Sequence, residues 1–282
     1  MNKINQKKRA EQFLELHRQD KLLVLPNIWN PIGARILEAK GFPAAATASA
    51  AISSSLGYRD GEKINLSTHL DIIERIVQSV AIPVTADIES GYSPDLKGLR
   101  DSMNRIINTG VAGINVEDSV SKEGVIRDAD EQCERIATVR NVAEDRGLHL
   151  VVNARIDCFL SDTSNTKNEV INEVIKRADA YCQAGADCVY PIGVLDLETI
   201  KILRKEIKYP INILGSHRTI PLKTMQEIGI NRVTFGPFIF RSALKKFVNI
   251  IEELGRLGSY NSFGDDTFSF SEALEFLRDE KE

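Results

Sequence analysis

Carboxylates recur in this chain in short separate motifs: Asp60 in SSSLGYRDGE, Asp87 and Glu89 in TADIESGYS, Glu117-Asp118 in GINVEDS, and Asp157 beside Arg155 in VVNARID. Acids gathered from such places repel one another and raise each other's pKa, and a divalent cation relieves the repulsion. Oxygen ligands with retained waters suit Mg2+, or Mn2+, better than zinc. The planar fork of Arg155 would grip a substrate carboxylate bidentately. Blander roles stay open. A lone aspartate at a strand exit is often a helix N-cap, so Asp118 and Asp157 fit capping or pairing with arginines, and Arg155 fits a structural ion pair. Asp87 and Glu89 followed by Gly91-Tyr92 fit that pattern poorly, because a cap needs neither two acids nor a tight glycine turn.

The elements that would position these residues are legible. Short apolar runs at 22–25, 44–47, 82–87, 113–117, 149–155, 187–190, 211–214 and 232–235 alternate with helical stretches at 31–41, 66–80, 94–109, 131–146, 168–184, 196–206, 221–228 and 238–254. Asn30-Pro31 makes a good helix start and Gly41 a good stop. Strands this short and apolar, without period-two alternation, fit a parallel sheet buried on both faces. Eight βα units in 282 residues predict one (β/α)8 barrel domain over residues 1–282, which places chemistry at the C-terminal ends of its strands. A doubly wound sheet is the alternative, but no G-x-G-x-x-G or P-loop is present. An extra helix is expected at about 5–19 (core 7–19), and a helical extension at about 237–282, with its last helix at 268–278.

Composition narrows the partners. A net charge of -4 argues against nucleic-acid binding. Four scattered cysteines without a CxxC pair argue against a structural zinc site and for a reducing compartment. No apolar run is long enough for a membrane span, and the charged start has no signal-peptide core. The expectation is a cytoplasmic protein whose partner is a small molecule.

The pieces LGYRDGE, ADIESGYS, GINVEDS, NARID and AYCQAGAD, in this order and at strand exits, resemble the isocitrate lyase/phosphoenolpyruvate mutase superfamily from LPNIWNPIGARILEAKGF to RVTFGPFIFRSAL. The resemblance implies that Asp87 binds Mg2+ directly and that Glu89 and Glu117 reach it through water, with a similar role for Asp60. It implies that Arg155 holds the substrate carboxylate and that backbone N–H groups near Ser49 and Ala50 bind substrate oxygens. It also implies a homo-oligomer, a dimer or tetramer, with the last barrel helix exchanged between neighbours, a role for which 238–254 is long enough.

The chain departs from the lyase branch. The loop EDSVSKEGVIRDADEQ lacks the K-[KR]-C-G-H motif and its acid cysteine; Cys133 falls in a helix and reads as a small hydrophobe. Lys122 lies one place short of the loop lysine of the phosphonate enzymes and is carried as a catalytic candidate with Asp60 and Arg155. His217 fits either a proton donor facing the pocket or a loop residue without a role. The expected function is an Mg2+-dependent lyase or decarboxylase of a small 2-oxo or 2-hydroxy (di)carboxylate, through a pyruvate-like enolate. The alternatives are a P–C bond enzyme, either a phosphonomutase or a phosphonopyruvate hydrolase, and a non-catalytic metabolite-binding barrel.

Overall fold

A computed structural model describes residues 3–120, 125–161, 165–264 and 267–277. The first half contains α1 (Lys3–Arg18), β1 (Leu23–Leu25), β2 (Asn27–Ile28), α2 (Pro31–Ala39), β3 (Ala45–Thr47), α3 (Ser49–Ser55), α4 (Leu66–Gln78), β4 (Val84–Asp87), α5 (Leu96–Asn108), β5 (Gly113–Glu117) and α6 (Ala129–Glu144). The second half contains β6 (Val151–Ile156), α7 (Lys167–Gln183), β7 (Cys188–Pro191), α8 (Leu197–Glu206), β8 (Asn212–Leu214), α9 (Leu222–Glu227), β9 (Arg232–Thr234), α10 (Phe238–Leu257) and α11 (Phe270–Leu274).

Every strand pairing is parallel. One ladder runs β2-β3-β4-β5-β6-β7 and another β1-β9-β8. They share the first barrel strand, which is split into β1 and β2 at Pro26, a residue with no N–H to give to a ladder. On the other side a single bridge, Val189 to Ile211, links β7 to β8. The chain is thus a (β/α)8 barrel, with a thin seam between its sixth and seventh strands.

Asn30, Asn65, Asp95, Asp128, Thr166 and Asp196 accept from the first turns of α2, α4, α5, α6, α7 and α8. Each supplies an acceptor that a helix start lacks. The helix α1 closes the bottom: Phe13 is fully buried, and a Cβ on Gly113 would come within 2.8 Å of its ring.

Two features differ from the sequence expectation. The segment after β3 holds a short helix, α3, before α4. The last expected helix shortens to α11, and Arg278 lies outside the described residues. The long α10 buries none of its residues, although its apolar side chains share one face. Among the described residues, no helix is long and apolar enough to cross a membrane.

Candidate active site

Strand register assembles the site before any side chain is considered. Asp87 lies opposite Asn115, and Asn115 opposite Asn153. Two residues further up, Glu117 lies opposite Arg155, and Arg155 opposite Tyr190. Since side chains alternate faces along a strand, Asn115 and Glu117 share the inward face. A cleft of about 150 Å3 opens above them, lined by Asp60, Asp87, Asn115, Arg155, Tyr190, Arg241 and the Ser49-Ala50 backbone, among others.

Asp87, at the exit of β4, accepts from the Ser49 backbone N–H at 3.2 Å and the Ser49 hydroxyl at 2.8 Å. Ser49 and Ala50 begin α3, where the first N–H groups have no intrahelical acceptor. The Ala50 N–H has no partner among the described residues and borders the cleft. Asp60 stands at the mouth. Partial desolvation there, with Asp87 nearby, shifts its carboxyl above the usual range.

Glu89 is 3% exposed. Burial first, and then the charges of Asp60 and Asp87, push it up to about 8. Its carboxylate accepts from the Tyr92 hydroxyl at 3.0 Å and from the Glu62 N–H. Glu62 in turn accepts from the Ser90 hydroxyl at 2.7 Å and the Tyr92 N–H at 2.8 Å. Glu62, Glu89 and Tyr92 all hold left-handed backbones, with φ of 57°, 53° and 57°. Such conformations cost roughly 1–3 kcal/mol each in non-glycine residues and persist where surroundings over-determine them. Behind them, His69 is buried and meets the Tyr92 hydroxyl at 2.7 Å. As that hydroxyl spends its proton on Glu89, it accepts from His69 Nδ1–H. Burial lowers His69 to about 4, so the ring is neutral, and its Nε2 has no partner.

Arg155 is held between two acids. Its Nη1 lies 2.6 Å from Glu117, while Nε and Nη2 grip Asp157 at 2.7 and 2.8 Å. Burial opposes its charge, but Glu117 and Asp157 more than offset this and raise it above its ordinary value. Burial drives Glu117 upward against that same attraction. Of the five guanidinium N–H donors, one on each terminal nitrogen is left for a ligand. Asp118 points away from the cleft. It is fully buried and accepts from Arg177 at 3.1 Å, the Tyr181 hydroxyl at 2.8 Å and the Asp157 N–H at 2.9 Å, which makes it structural.

The structure thus brings Asp60, Asp87, Glu89, Glu117, Arg155, Ser49 and Ala50 to one strand-end face. Lys122 lies outside the described residues. His217 lines a separate depression beside α9 and α10. Among the described residues no three His, Cys, Asp or Glu side chains form a cage for a metal ion. The donor set fits a hard cation held by Asp87 and its own waters, since Glu89 and Glu117 already accept from protein donors, and Mg2+ characteristically keeps several waters. Sequence reasoning gave no role to Glu62, His69, Tyr92, Asn115 or Arg241. Glu62, Tyr92 and Asn115 stand inside the quoted motifs, so position was the available signal. His69 shares the buried stripe of α4 with Leu70, Ile73 and Val77 and is indistinguishable from core by spacing.

Barrel and strand-end acids together define an enzyme class, and comparison with known proteins specifies it. Residues 13–255 match the phosphoenolpyruvate phosphomutase family model. The chain belongs to that family, within the PEP mutase/isocitrate lyase superfamily of lyases and mutases. It is 31% identical to an uncharacterized protein of Mycobacterium tuberculosis (strain H37Rv), over 82% of this chain and 84% of that one. It is 26% identical to an oxaloacetate decarboxylase of Pseudomonas fluorescens, over 87% and 84%. A Burkholderia cenocepacia structure provisionally assigned as a phosphonomutase superposes with a TM-score of 0.83 at 31% identity, over 87% of this chain and 99% of that one.

Proposed function

We propose that this chain is an Mg2+-dependent lyase or decarboxylase of a small 2-oxo or 2-hydroxy carboxylate, working through a pyruvate-like enolate. One observation carries the reading: the Asp87 carboxylate, the unpartnered Ala50 N–H and the two remaining Arg155 donors face one small cleft. A bound Mg2+ would supply Lewis-acid stabilisation of the enolate oxygen. The chain's own residues do the rest. The Ala50 N–H donates to the developing oxyanion. The Ser49 N–H joins it once Asp87 turns to a cation. Arg155 orients the substrate carboxylate, and Glu117 with Asp157 fixes the plane of that guanidinium. Asp60 at the mouth of the cleft and Glu89 beneath it, the carboxyls nearest Asp87 in charge, are the groups suited to hold or pass a proton there.

The test is calorimetric titration of oxalate, a planar enolate mimic, with and without Mg2+, on wild type and Asp87→Ala. The proposal expects binding that needs both the metal and Asp87. Binding of equal strength in Asp87→Ala would refute it. P–C chemistry is a second reading, favoured by the 31%-identical phosphonomutase-like structure. Phosphonopyruvate turnover followed by phosphorus NMR separates the two, because lyase chemistry yields no phosphorus product. The chain's further assignment is a homo-oligomer built through α10. Leu244, Phe247, Ile251, Leu254 and Leu257 are 41–75% exposed on that helix, an apolar patch of the kind that marks an interface.

A further inference from the structure

Behind the acid loop stands a histidine in a position built for a hydrophobe. His69 belongs to the buried stripe of α4, with Leu70, Ile73, Ile76 and Val77, and none of its surface is exposed. Such a position favours an apolar side chain. Burial keeps the ring neutral, so it answers no charge. Its Nε2 is buried without a partner among the described residues, and an orphaned buried polar atom costs stability. A leucine or phenylalanine there would remove that cost. On packing grounds alone histidine is the less stable choice. What it adds is one hydrogen bond, between Nδ1 and the Tyr92 hydroxyl at 2.7 Å.

That bond settles where the tyrosine proton goes. The hydroxyl has one proton and two neighbours able to take it, His69 Nδ1 at 2.7 Å and the Glu89 carboxylate at 3.0 Å. With the ring proton on Nδ1, His69 donates, and the hydroxyl turns its own proton to Glu89. The two rings also touch, with centroids 5.6 Å apart and planes inclined at 56°, which holds the phenol from the side. Glu89 takes its other donor, the Glu62 N–H, on its second oxygen. Each oxygen then has one lone pair fixed by the protein and one left for the waters of a cation.

We infer that His69 is a positioning residue of the cation site, acting through Tyr92: it directs the Tyr92 hydroxyl onto Glu89 and so holds that carboxylate aimed at water bound to Mg2+. The inference rests on the enolate-site reading above and deepens it, carrying the site one layer into the helical shell. Partners of this kind orient the groups that meet a metal without touching it themselves. Stability and metal binding should then respond to substitution at position 69 with opposite signs.

Calorimetric titration of Mg2+, and of oxalate with Mg2+ present, on wild type, His69→Phe, His69→Leu and His69→Asn, with Tm from scanning calorimetry, tests this. Phenylalanine keeps a ring against Tyr92, leucine is closer to histidine in bulk, and asparagine places an amide N–H where Nδ1 stands. The apolar variants should hold Tm within about 2 °C of wild type or raise it. They should bind Mg2+ about 3–10-fold more weakly, less than the roughly 10–100-fold usual for partners one link nearer the metal. Asparagine should lower Tm, as a polar side chain in a core, yet recover part of the affinity. Tyr92→Phe should weaken Mg2+ at least as much as His69→Phe. Combining the two should cost less than about twofold more, since both act through one bond. Unchanged Mg2+ affinity in both apolar variants overturns the inference. So does a joint fall of Tm and affinity in all three variants, or losses from Tyr92→Phe and His69→Phe that multiply. Oxalate that fails on wild type with Mg2+ present removes the enolate site itself, and the role of His69 with it. Oxalate and Mg2+ that bind normally across the whole His69 series remove the positioning role alone.

Discussion

Glu117 and Asp118 are neighbours in sequence with opposite assignments, and Asp118→Asn measures the difference. The substitution keeps an oxygen for the Asp157 N–H. It replaces the other oxygen with an N–H2 facing Arg177 Nη1 and the Tyr181 hydroxyl, both of which are donors. Arg177 is left buried, with Glu173 as its remaining acid partner at the more exposed edge. Breaking a buried pair from one side costs about 3–5 kcal/mol, whereas replacing both members with apolar groups of similar size is often near neutral. For 282 residues the unfolding entropy near the midpoint is about 0.6 kcal/mol per degree. Asp118→Asn should therefore lower Tm by about 5–8 °C. The double variant Asp118→Asn/Arg177→Met should regain much of that loss. Differential scanning calorimetry reads both, and oxalate titration at a temperature where the variant is folded reads the site. A Tm shift below about 2 °C, or lost oxalate binding in a protein of unchanged Tm, would refute the assignment and move Asp118 to the functional acids.

Four other outcomes follow from the same geometry. Asp87→Asn should abolish turnover and weaken Mg2+-dependent oxalate binding by at least about 100-fold, with Tm within about 2 °C of wild type; retained turnover would count against the metal role. Gly91→Ala should cost about 2–3 kcal/mol, because φ is 101° and the new methyl would meet Leu99 Cδ1 at 2.5 Å; urea unfolding measures it. His17 is buried beside Arg232, and burial lowers it from 6.5 to about 4. The unfolded chain takes up the proton first, so the contribution is full above pH 6.5 and is lost as pH falls toward 4. His17→Gln should flatten that part of the pH profile of the unfolding free energy, measured with urea, by up to about 3 kcal/mol, and an unaltered profile would contradict it. Phe247→Asp, at a side chain 60% exposed on α10, should reduce the oligomer mass seen by light scattering without lowering helix content.

Much of this was legible because barrels separate packing from chemistry along each strand. The run GINVEDS shows how far that goes. Its apolar residues fix a buried strand, and an acid where the run stops is at a mouth. Register then places Glu117 across from Arg155, which spacing alone does not give. What stayed hidden depends on contacts between distant segments. Arg155 reads from sequence as a carboxylate clamp or as a structural ion-pair partner, and only the fold shows it to be both, paired with Asp157 and Glu117 while two donors stay free. Arg241 sits in a helix whose residues otherwise look like surface, and it becomes a cleft residue because β9 ends beside β1. The helix α3 was hidden in a run of alanines and serines with no apolar stripe, although its first N–H groups are the ones the chemistry uses.

The acids divide their work by partner rather than by type. Asp87 accepts from Ser49 through one oxygen, Oδ2, and no described donor reaches the other, so it is the carboxylate most available to a cation. Glu89 is fixed by Glu62 and Tyr92 through three left-handed residues, so its distance from Asp87 is set by backbone and does not relax when charge changes. Glu117 spends its charge on aiming Arg155. A site organised this way loses little structure when Asp87 is neutralised but should lose its geometry when Glu62 is. Glu62→Gln keeps acceptance from Ser90 and Tyr92 through one oxygen, whereas Glu62→Ala removes both and frees the loop. If Glu62→Ala and Glu62→Gln impaired oxalate binding equally, charge rather than positioning would be the contribution of Glu62. The expected order is a large loss for alanine and a small one for glutamine.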